Sequence, residues 1–171
     1  MKLFTVFLLP ALLLGSLALN AHEQVESSPD VYEIEGVLIP SGDTVDGRRF
    51  DVESMSTEVR PSLSVLVDHV NKVSVVIGKV TALYKEDGAL KFKAVLIADT
   101  QLSADVIKRV QSGALRAVSC GIASEIRHQK DEDTPDGGVV KVFYKAKVQE
   151  ISIVAISAYE GAEIKSIKIK D

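Results

Sequence analysis

The sequence predicts a mainly β domain, a barrel or sandwich with one or two short helices at its periphery. Segments in which apolar and polar residues alternate recur from Val31 to the C-terminus, and one stretch alone has helical periodicity. Turn signals rich in Gly, Pro and Asp separate these segments. A chain of 171 residues has room for one domain with a substantial core.

The first half of the domain is predicted to consist of strands joined by tight turns. The strands expected there are residues 31–39, 62–69, 73–84 and 89–98. Pro40-Ser41-Gly42 and Asp46-Gly47 indicate turns, and residues 85–88 indicate a hairpin. Residues 51–60 are expected to form a short helix or an irregular segment that stops before Pro61.

The second half begins with the predicted helix, over residues 104–112. Ser103 is placed to cap its start and Gly113 to end it, and the helix would bury one apolar face. That face consists of Val106, Ile107 and Val110. Residues 116–126 follow as a strand, 128–138 as a charged hairpin loop, and 139–157 as one long strand or two, before a lysine-rich tail.

Composition excludes several classes of function. The net charge of −4 disfavours nucleic acid as a partner, since phosphate binding needs a basic surface. The single cysteine cannot form an internal disulfide. Three histidines and one cysteine, scattered along the chain, lack the spacing of a metal site, so we expect neither a metal nor a cofactor.

The N-terminus has the parts of a secretory signal peptide. Lys2 precedes an apolar run from Leu3 to Leu14, and small residues allow cleavage after Ala18 or Ala21. The expected organisation is a signal-like segment at 1–21, a polar linker at 22–30 and a single domain at 31–171. The segment is a true signal, a membrane tether that gives membrane contact if retained, or a misassigned start.

Ser119 and Cys120 stand side by side in the strand over residues 116–126. Alternation directs Cys120 to the core with its apolar neighbours and directs Ser119 to a face of small residues. That face leaves the space that a substrate carbonyl needs to reach a nucleophile. The alternative is a strip of small residues against which another element packs.

A serine nucleophile requires a base and a group that orients the base. His69 ends an apolar strand where a turn begins, whereas His22 and His128 lie at the linker and beside the charged loop. Glu150 continues the apolar face of residues 140–148, where a carboxylate needs a partner. Both residues also have a non-catalytic interpretation. His69 would then be a surface histidine in a turn, and Glu150 a strand-end glutamate bonded to backbone amides.

The order of these motifs resembles a known family. The relevant segments are Asp68-His69, Ile77-Gly78, Glu86-Asp87-Gly88, Leu115 to Ile122, and Glu150 to Val154. They are similar to segments of the prohead serine proteases of tailed bacteriophages, relatives of herpesvirus assemblin, over roughly Val31 to Ile167. The resemblance implies an assemblin-like β-barrel with one or two peripheral helices and a catalytic triad of Ser119, His69 and Glu150.

The resemblance also implies partners and a location. The expected substrates are the scaffolding protein and an N-terminal segment of the major capsid protein, cut inside the prohead in the host cytoplasm. We expect a separate scaffolding protein, because the chain ends soon after Glu150. A homo-oligomer is compatible with the sequence. The sequence departs from the family pattern at two places. The residues Ser157-Ala158-Tyr159 stand where the family carries Pro-Ala-Asn. Cys120 follows the candidate serine, which makes a thiol nucleophile an alternative.

Two functions of other classes remain open from the sequence. One is a non-catalytic capsid-assembly factor on the same fold, and the other is an exported β-domain binding protein. The first would retain the triad without activity. The second treats the signal-like segment as a true signal peptide.

Overall fold

The computed structural model describes residues 28–44 and 47–170. The signal-like segment at 1–21, His22, most of the linker and Asp46 lie outside the described residues. The elements are, in chain order, β1 (Val31–Ile39), β2 (Arg48–Phe50), β3 (Ser64–Val67), β4 (Gly78–Glu86), β5 (Ala89–Ile97), α1 (Gln101–Gln111), β6 (Val118–Ala123), β7 (Gln129–Asp133), β8 (Val139–Phe143), β9 (Lys147–Ile153) and β10 (Glu163–Ile169). The described part of the chain is mainly β with one α-helix, which confirms the predicted fold class.

Seven strands form one curled sheet in the order β10-β1-β5-β4-β3-β9-β6. Neighbouring strands are antiparallel except β3 and β9, which run parallel. The two edge strands meet at one end, where Ala117 bridges Glu163 and the Val118 amide donates to the Ala162 carbonyl at 3.1 Å. The sheet is therefore a partly closed barrel.

The barrel encloses a mainly aliphatic core that also includes Phe50, Phe92 and Tyr159. The largest fully buried side chains are Phe92, Ile34, Leu38, Ile39, Leu63, Ile77, Leu90, Leu96, Ile107, Ile151, Ile153 and Ile164. They come from β1, β5, β9 and β10, from the residues just before β3 and β4, and from the helix, which packs against this core. Each such side chain stabilises the fold by about 1.5–3 kcal/mol relative to leaving it in water.

The β4–β5 hairpin confirms the predicted turn. Asp87 and Gly88 both have positive φ, 54° and 73°, the combination that a type I′ turn requires. The first strand of the hairpin is shorter than expected, because residues 73–75 form a 3₁₀ turn and β4 begins at Gly78.

Helix α1 begins three residues earlier than the sequence indicated. Thr100, not Ser103, is the N-cap, and the Ser103 hydroxyl bonds back to the Thr100 amide in a capping box. Such a cap contributes about 1 kcal/mol. The predicted buried face is confirmed, and Gly113 follows the helix end with φ 76°. Among the described residues, no helix has the length and apolar character needed to cross a bilayer.

A second, three-stranded sheet has the order β2-β8-β7. The prediction that residues 128–138 form a loop is wrong for its first half, because Gln129–Asp133 pair with β8 as an antiparallel strand. The charged side chains of β7 are mostly solvated, and ladder hydrogen bonds hold the strand despite its low β-propensity. Phe50 of β2 stacks on Phe143 of β8 with ring centroids 5.0 Å apart.

Candidate active site

Three neighbouring strands, β3, β9 and β6, bring the predicted site residues to one end of the sheet. β3 runs parallel to β9, with Val67 beside Ile153, and β6 runs antiparallel to β9. His69 lies two residues after the end of β3, whereas Glu150 lies within β9 and Ser119 within β6. Residues 81 and 31 positions apart in the sequence thus become neighbours.

His69 stands in a strained turn at the end of β3. Asp68 and His69 have φ of 52° and 57°, a left-handed conformation that costs about 1–2 kcal/mol for each residue with a Cβ. The Asp68 amide donates to the Ile153 carbonyl at 3.1 Å, which ties the turn to β9. The His69 side chain is 42% exposed, so its ring is accessible from solvent.

The imidazole of His69 contacts the carboxylate of Glu150. Nδ1 lies 2.6 Å from Oε1 of Glu150, whose side chain is 18% exposed. An ionised carboxylate only accepts hydrogen bonds, so Nδ1 carries the proton in this pair. The lone pair of a neutral ring then lies on Nε2, the nitrogen that faces away from the carboxylate.

Ser152 bonds to both of these residues, and the sequence analysis missed it. Its hydroxyl donates to Glu150 Oε2 at 2.7 Å and accepts the backbone N–H of His69 at 3.0 Å. Its side chain is fully buried. The available signal was a lone polar residue in the apolar run Ile151 to Val154, two positions after the candidate carboxylate.

The phase argument for Glu150 was wrong, although the residue does find a partner. The pairing of β6 with β9 shifts between Gly121 and Ile122, which leaves Gln149 as an extra residue in β9. Such a bulge breaks the alternation of faces. Val148 points to the core, but Glu150 lies on the opposite face from buried Ile151.

Ser119 lies on the same face of the strand pair as Ser152 and Glu150. Ser119 is opposite Ser152, and Gly121 is opposite Glu150. Among the described residues, the half-buried Ser119 side chain makes no hydrogen bond, and none joins it to His69. Catalytic hydrogen bonds are often long in the absence of substrate. The geometry is therefore compatible with a hydrogen bond between Ser119 and His69, although the structure does not contain one.

Cys120 points the other way, as alternation predicts. It is half-buried and packs against the core. Burial raises the pKa of its thiol to about 12, and the nearby charge of Glu150 adds to the effect. Since the thiolate is the reactive form, this thiol is a poor nucleophile near neutral pH.

A cavity of about 240 Å³ opens beside Ser119 and His69. Phe50, Ile122 and Tyr159 contribute to its wall, and Tyr159 is buried, which raises the pKa of its hydroxyl to about 12. Ala158 and Tyr159, from the segment in which the sequence departs from the family pattern, thus border the cavity. His128 lies before β7 in the second sheet, and His69 is the one described histidine that lines this cavity.

Gly121 provides the space in which the Glu150 side chain lies. A Cβ added at Gly121 would stand 2.8 Å from Glu150 Oε1 and 3.2 Å from its Cγ. The Glu150 carboxylate therefore lies over Gly121, where a side chain is missing, while its Oε1 contacts His69. Among residues 28–44 and 47–170, no cluster of three or more His, Cys, Asp or Glu side chains could hold a metal ion.

The chain is similar to a known protein family and to a solved structure. The caudovirus prohead serine protease family matches residues 37–171. Among solved structures, the chain is similar to the herpesvirus KSHV protease in complex with a hexapeptide phosphonate inhibitor, at 14% identity and a TM-score of 0.49. The match covers 81% of this chain and 65% of that protease. A search of curated proteins found no match.

Replacing Gly121 tests whether its empty side-chain position holds Glu150 against His69. Gly121→Ala is expected to displace the carboxylate, because the clash falls on the end of a flexible side chain. A fluorophosphonate probe should then label Ser119 about 10- to 100-fold more slowly, since displacements of about 1 Å cost up to about 10² in rate. The Tm should change by less than about 4 °C, which corresponds to about 1 kcal/mol.

Gly138→Ala is the matched control for this variant. A Cβ there would stand 2.9 Å from the Thr134 hydroxyl, also a side-chain oxygen, but in the turn between β7 and β8. The control should be labelled at the native rate. A native labelling rate in Gly121→Ala would contradict the role assigned to the glycine.

Proposed function

The chain belongs to the caudovirus prohead serine protease family, and from this premise we propose that it is a serine endopeptidase of capsid maturation. Its substrates would be the scaffolding protein and an N-terminal segment of the major capsid protein. Ser119 is the nucleophile, His69 the general base and Glu150 the group that orients the base. The 2.6 Å contact between His69 and Glu150, beside a cavity that Ser119 shares, is the observation that supports this assignment.

Acylation uses two atoms beside the cavity, Ser119 Oγ and His69 Nε2. Ser119 Oγ attacks the scissile carbonyl carbon while His69 Nε2 takes its proton, which forms an O–C bond and an oxyanion. When the C–N bond breaks, the imidazolium returns the proton to the departing amine. A water molecule, activated by the same nitrogen, then hydrolyses the acyl-enzyme.

Glu150 acts on the reaction through His69. By accepting from Nδ1 it holds the ring in the tautomer whose Nε2 faces away from the carboxylate, and its charge stabilises the imidazolium. The Ser152 hydroxyl and the ring N–H together provide donors for both carboxylate oxygens. Both oxygens of the partly buried carboxylate therefore have a hydrogen-bond donor.

The strand pairing also favours a donor for the oxyanion. Just before β6, the Ala117 carbonyl accepts from the amide of Val154, which follows β9, whereas the Val118 amide at the start of β6 donates to the opposite side, to the Ala162 carbonyl. The direction alternates along a strand, so the Cys120 amide also points away from β9, towards the open edge. Of the amides near Cys120 and Gly121, that of Cys120 is the better placed to stabilise an oxyanion.

The cavity would receive the substrate segment next to the scissile bond. Its volume, about 240 Å³, is large enough for one side chain, and the aromatic walls of Phe50 and Tyr159 limit its shape. The prohead as the location, and the host cytoplasm as the compartment, follow from the proposed substrates. The alternative of an exported binding protein rests on residues 1–21, which lie outside the described chain.

Removing the nucleophile should abolish activity without unfolding the protein. Ser119→Ala is expected to lose cleavage of co-expressed capsid and scaffolding protein, by a factor near the roughly 10⁶ that subtilisin loses with its serine. Cys120→Ala is the neighbouring control and should keep cleavage within about threefold of native, because the thiol is protonated. Reversed results would make the protein a cysteine protease.

Removing the base should be nearly as damaging, since members of a triad act as a unit. His69→Ala is expected to lower the cleavage rate by about 10⁵- to 10⁶-fold with its fold intact by circular dichroism. His128→Ala changes the same residue type in the second sheet and should retain the native rate. Native activity in His69→Ala would exclude the proposed triad.

Replacing the carboxylate by an amide separates an orienting role from a structural one. Glu150→Gln keeps the shape but presents an NH₂ group to Nδ1, which favours the tautomer with the proton on Nε2. We expect kcat to fall by about 10⁴, as for the triad carboxylate of serine proteases, with little change in Tm. Thermal unfolding and cleavage should be measured on one purified sample. A less stable but fully active variant would remove Glu150 from the site.

A further inference from the structure

Ser152 hydrogen-bonds to both the proposed base and its carboxylate partner. It lies in β9, directly opposite Ser119 in β6 and beside Leu66 in β3. We propose that Ser152 is a positioning residue whose hydroxyl fixes the His69–Glu150 pair in the orientation that Ser119 requires. The proposal rests on the proposed function and adds a fourth side chain to it.

The chemistry of the hydroxyl determines its orientation. A serine hydroxyl has one proton to donate, and the carboxylate oxygen of Glu150, at 2.7 Å, can only accept it. The backbone N–H of His69, at 3.0 Å, can only donate, so it uses an oxygen lone pair. Both contacts are therefore satisfied at once, and the fully buried side chain has no room to turn towards solvent.

The two bonds act on different parts of the pair. The bond to Oε2 of Glu150 fixes the carboxylate, so that Oε1 points at Nδ1 of His69. The bond to the His69 amide holds the backbone of a residue with φ 57°. A left-handed conformation of this kind persists only where its surroundings determine it. Loss of the hydroxyl would release the carboxylate and the turn together.

A purely structural role is the alternative, because a buried hydroxyl needs partners in any case. The two roles differ in what they predict for catalysis. A structural hydroxyl contributes to the free energy of unfolding alone. A positioning hydroxyl contributes to the rate, and the part of its contribution that acts through Glu150 disappears when the carboxylate is absent.

The test is a double-mutant cycle on the full chain with a fluorophosphonate probe. The probe forms an Oγ–P bond with Ser119 and releases fluoride, while the serine proton passes to His69. Ser152→Ala should lower the labelling rate about 10- to 100-fold, because small misplacements of catalytic groups cost up to about 10² in rate. Ser152→Thr, which keeps a hydroxyl, should restore most of it. In the Glu150→Gln background, Ser152→Ala should lower the rate by a smaller factor than in the native background, because the part that acts through the carboxylate is already lost and coupled residues are not additive.

Ser103→Ala is the matched control. Ser103 is also a fully buried and hydrogen-bonded serine, but it lies at the start of α1. Its loss should lower the Tm and leave the labelling rate per folded molecule at the native value. If Ser152→Ala behaves in the same way, or if its loss of rate is fully additive with Glu150→Gln, the positioning role is wrong.

A spectroscopic measurement separates failure of this inference from failure of the proposed function. A proton shared between His69 Nδ1 and Glu150 gives a downfield NMR resonance that does not depend on catalysis. Ser152→Ala should shift or broaden it, and Ser103→Ala should leave it in place. An unchanged resonance in Ser152→Ala would overturn the inference even in an active protease. If Ser152→Ala does not fold, Ser152→Cys, with a weak donor of similar size, should give the same loss of rate and the same change of resonance.

A native protein that neither reacts with the probe nor cleaves capsid protein would overturn the proposed function. The inference about Ser152 would then be decided by the resonance alone. Labelling of the native protein combined with a native rate in Ser152→Ala would do the reverse. It would leave the protease in place and remove Ser152 from its site.

Discussion

The pairing of β9 with two strands at once is the constraint on which the candidate site depends. β9 runs parallel to β3 and antiparallel to β6, so the turn after β3 and the middle of β6 face the same stretch of β9. The hydrogen bond from the Asp68 amide to the Ile153 carbonyl extends the parallel ladder into the turn. A slip of one residue in either pairing would move every side chain to the other face.

One face of the β6–β9 pair contributes to the core, and the other carries the candidate site. Val118, Ile151 and Ile153 are almost completely buried and close the core. The opposite face carries Ser119 and the partly buried Glu150, whose carboxylate accepts from the His69 ring and a buried hydroxyl. A carboxylate can lie this close to the interior because hydrogen-bond donors are available to both of its oxygens. The bulge at residue 149 makes the division possible, since it lets β9 present apolar and polar side chains where strict alternation would not.

The second sheet contributes to the site as well as to the fold. Phe50, at the end of β2, stacks on Phe143 and lies 6.3 Å from the ring of Tyr159. Phe50 and Tyr159 both line the cavity beside Ser119. Part of the cavity wall thus comes from β2 of the second sheet and from the segment after β9. Changes in these segments can alter the shape of the cavity without touching the residues assigned to the reaction.

The sequence by itself determined those features that depend on neighbours along the chain. Alternation gave the strands and the opposed directions of Ser119 and Cys120, helical periodicity gave the buried face of α1, and Asp87-Gly88 gave the hairpin. The family motifs indicated His69, Ser119 and Glu150 as a set. Tertiary structure alone decided that Gln149 is a bulge, that the charged segment 129–133 pairs as a strand, and that Ser152 and Gly121 border the same carboxylate. These features arise from hydrogen bonds and close contacts between strands that are distant in sequence, and local periodicity contains no information about such partners.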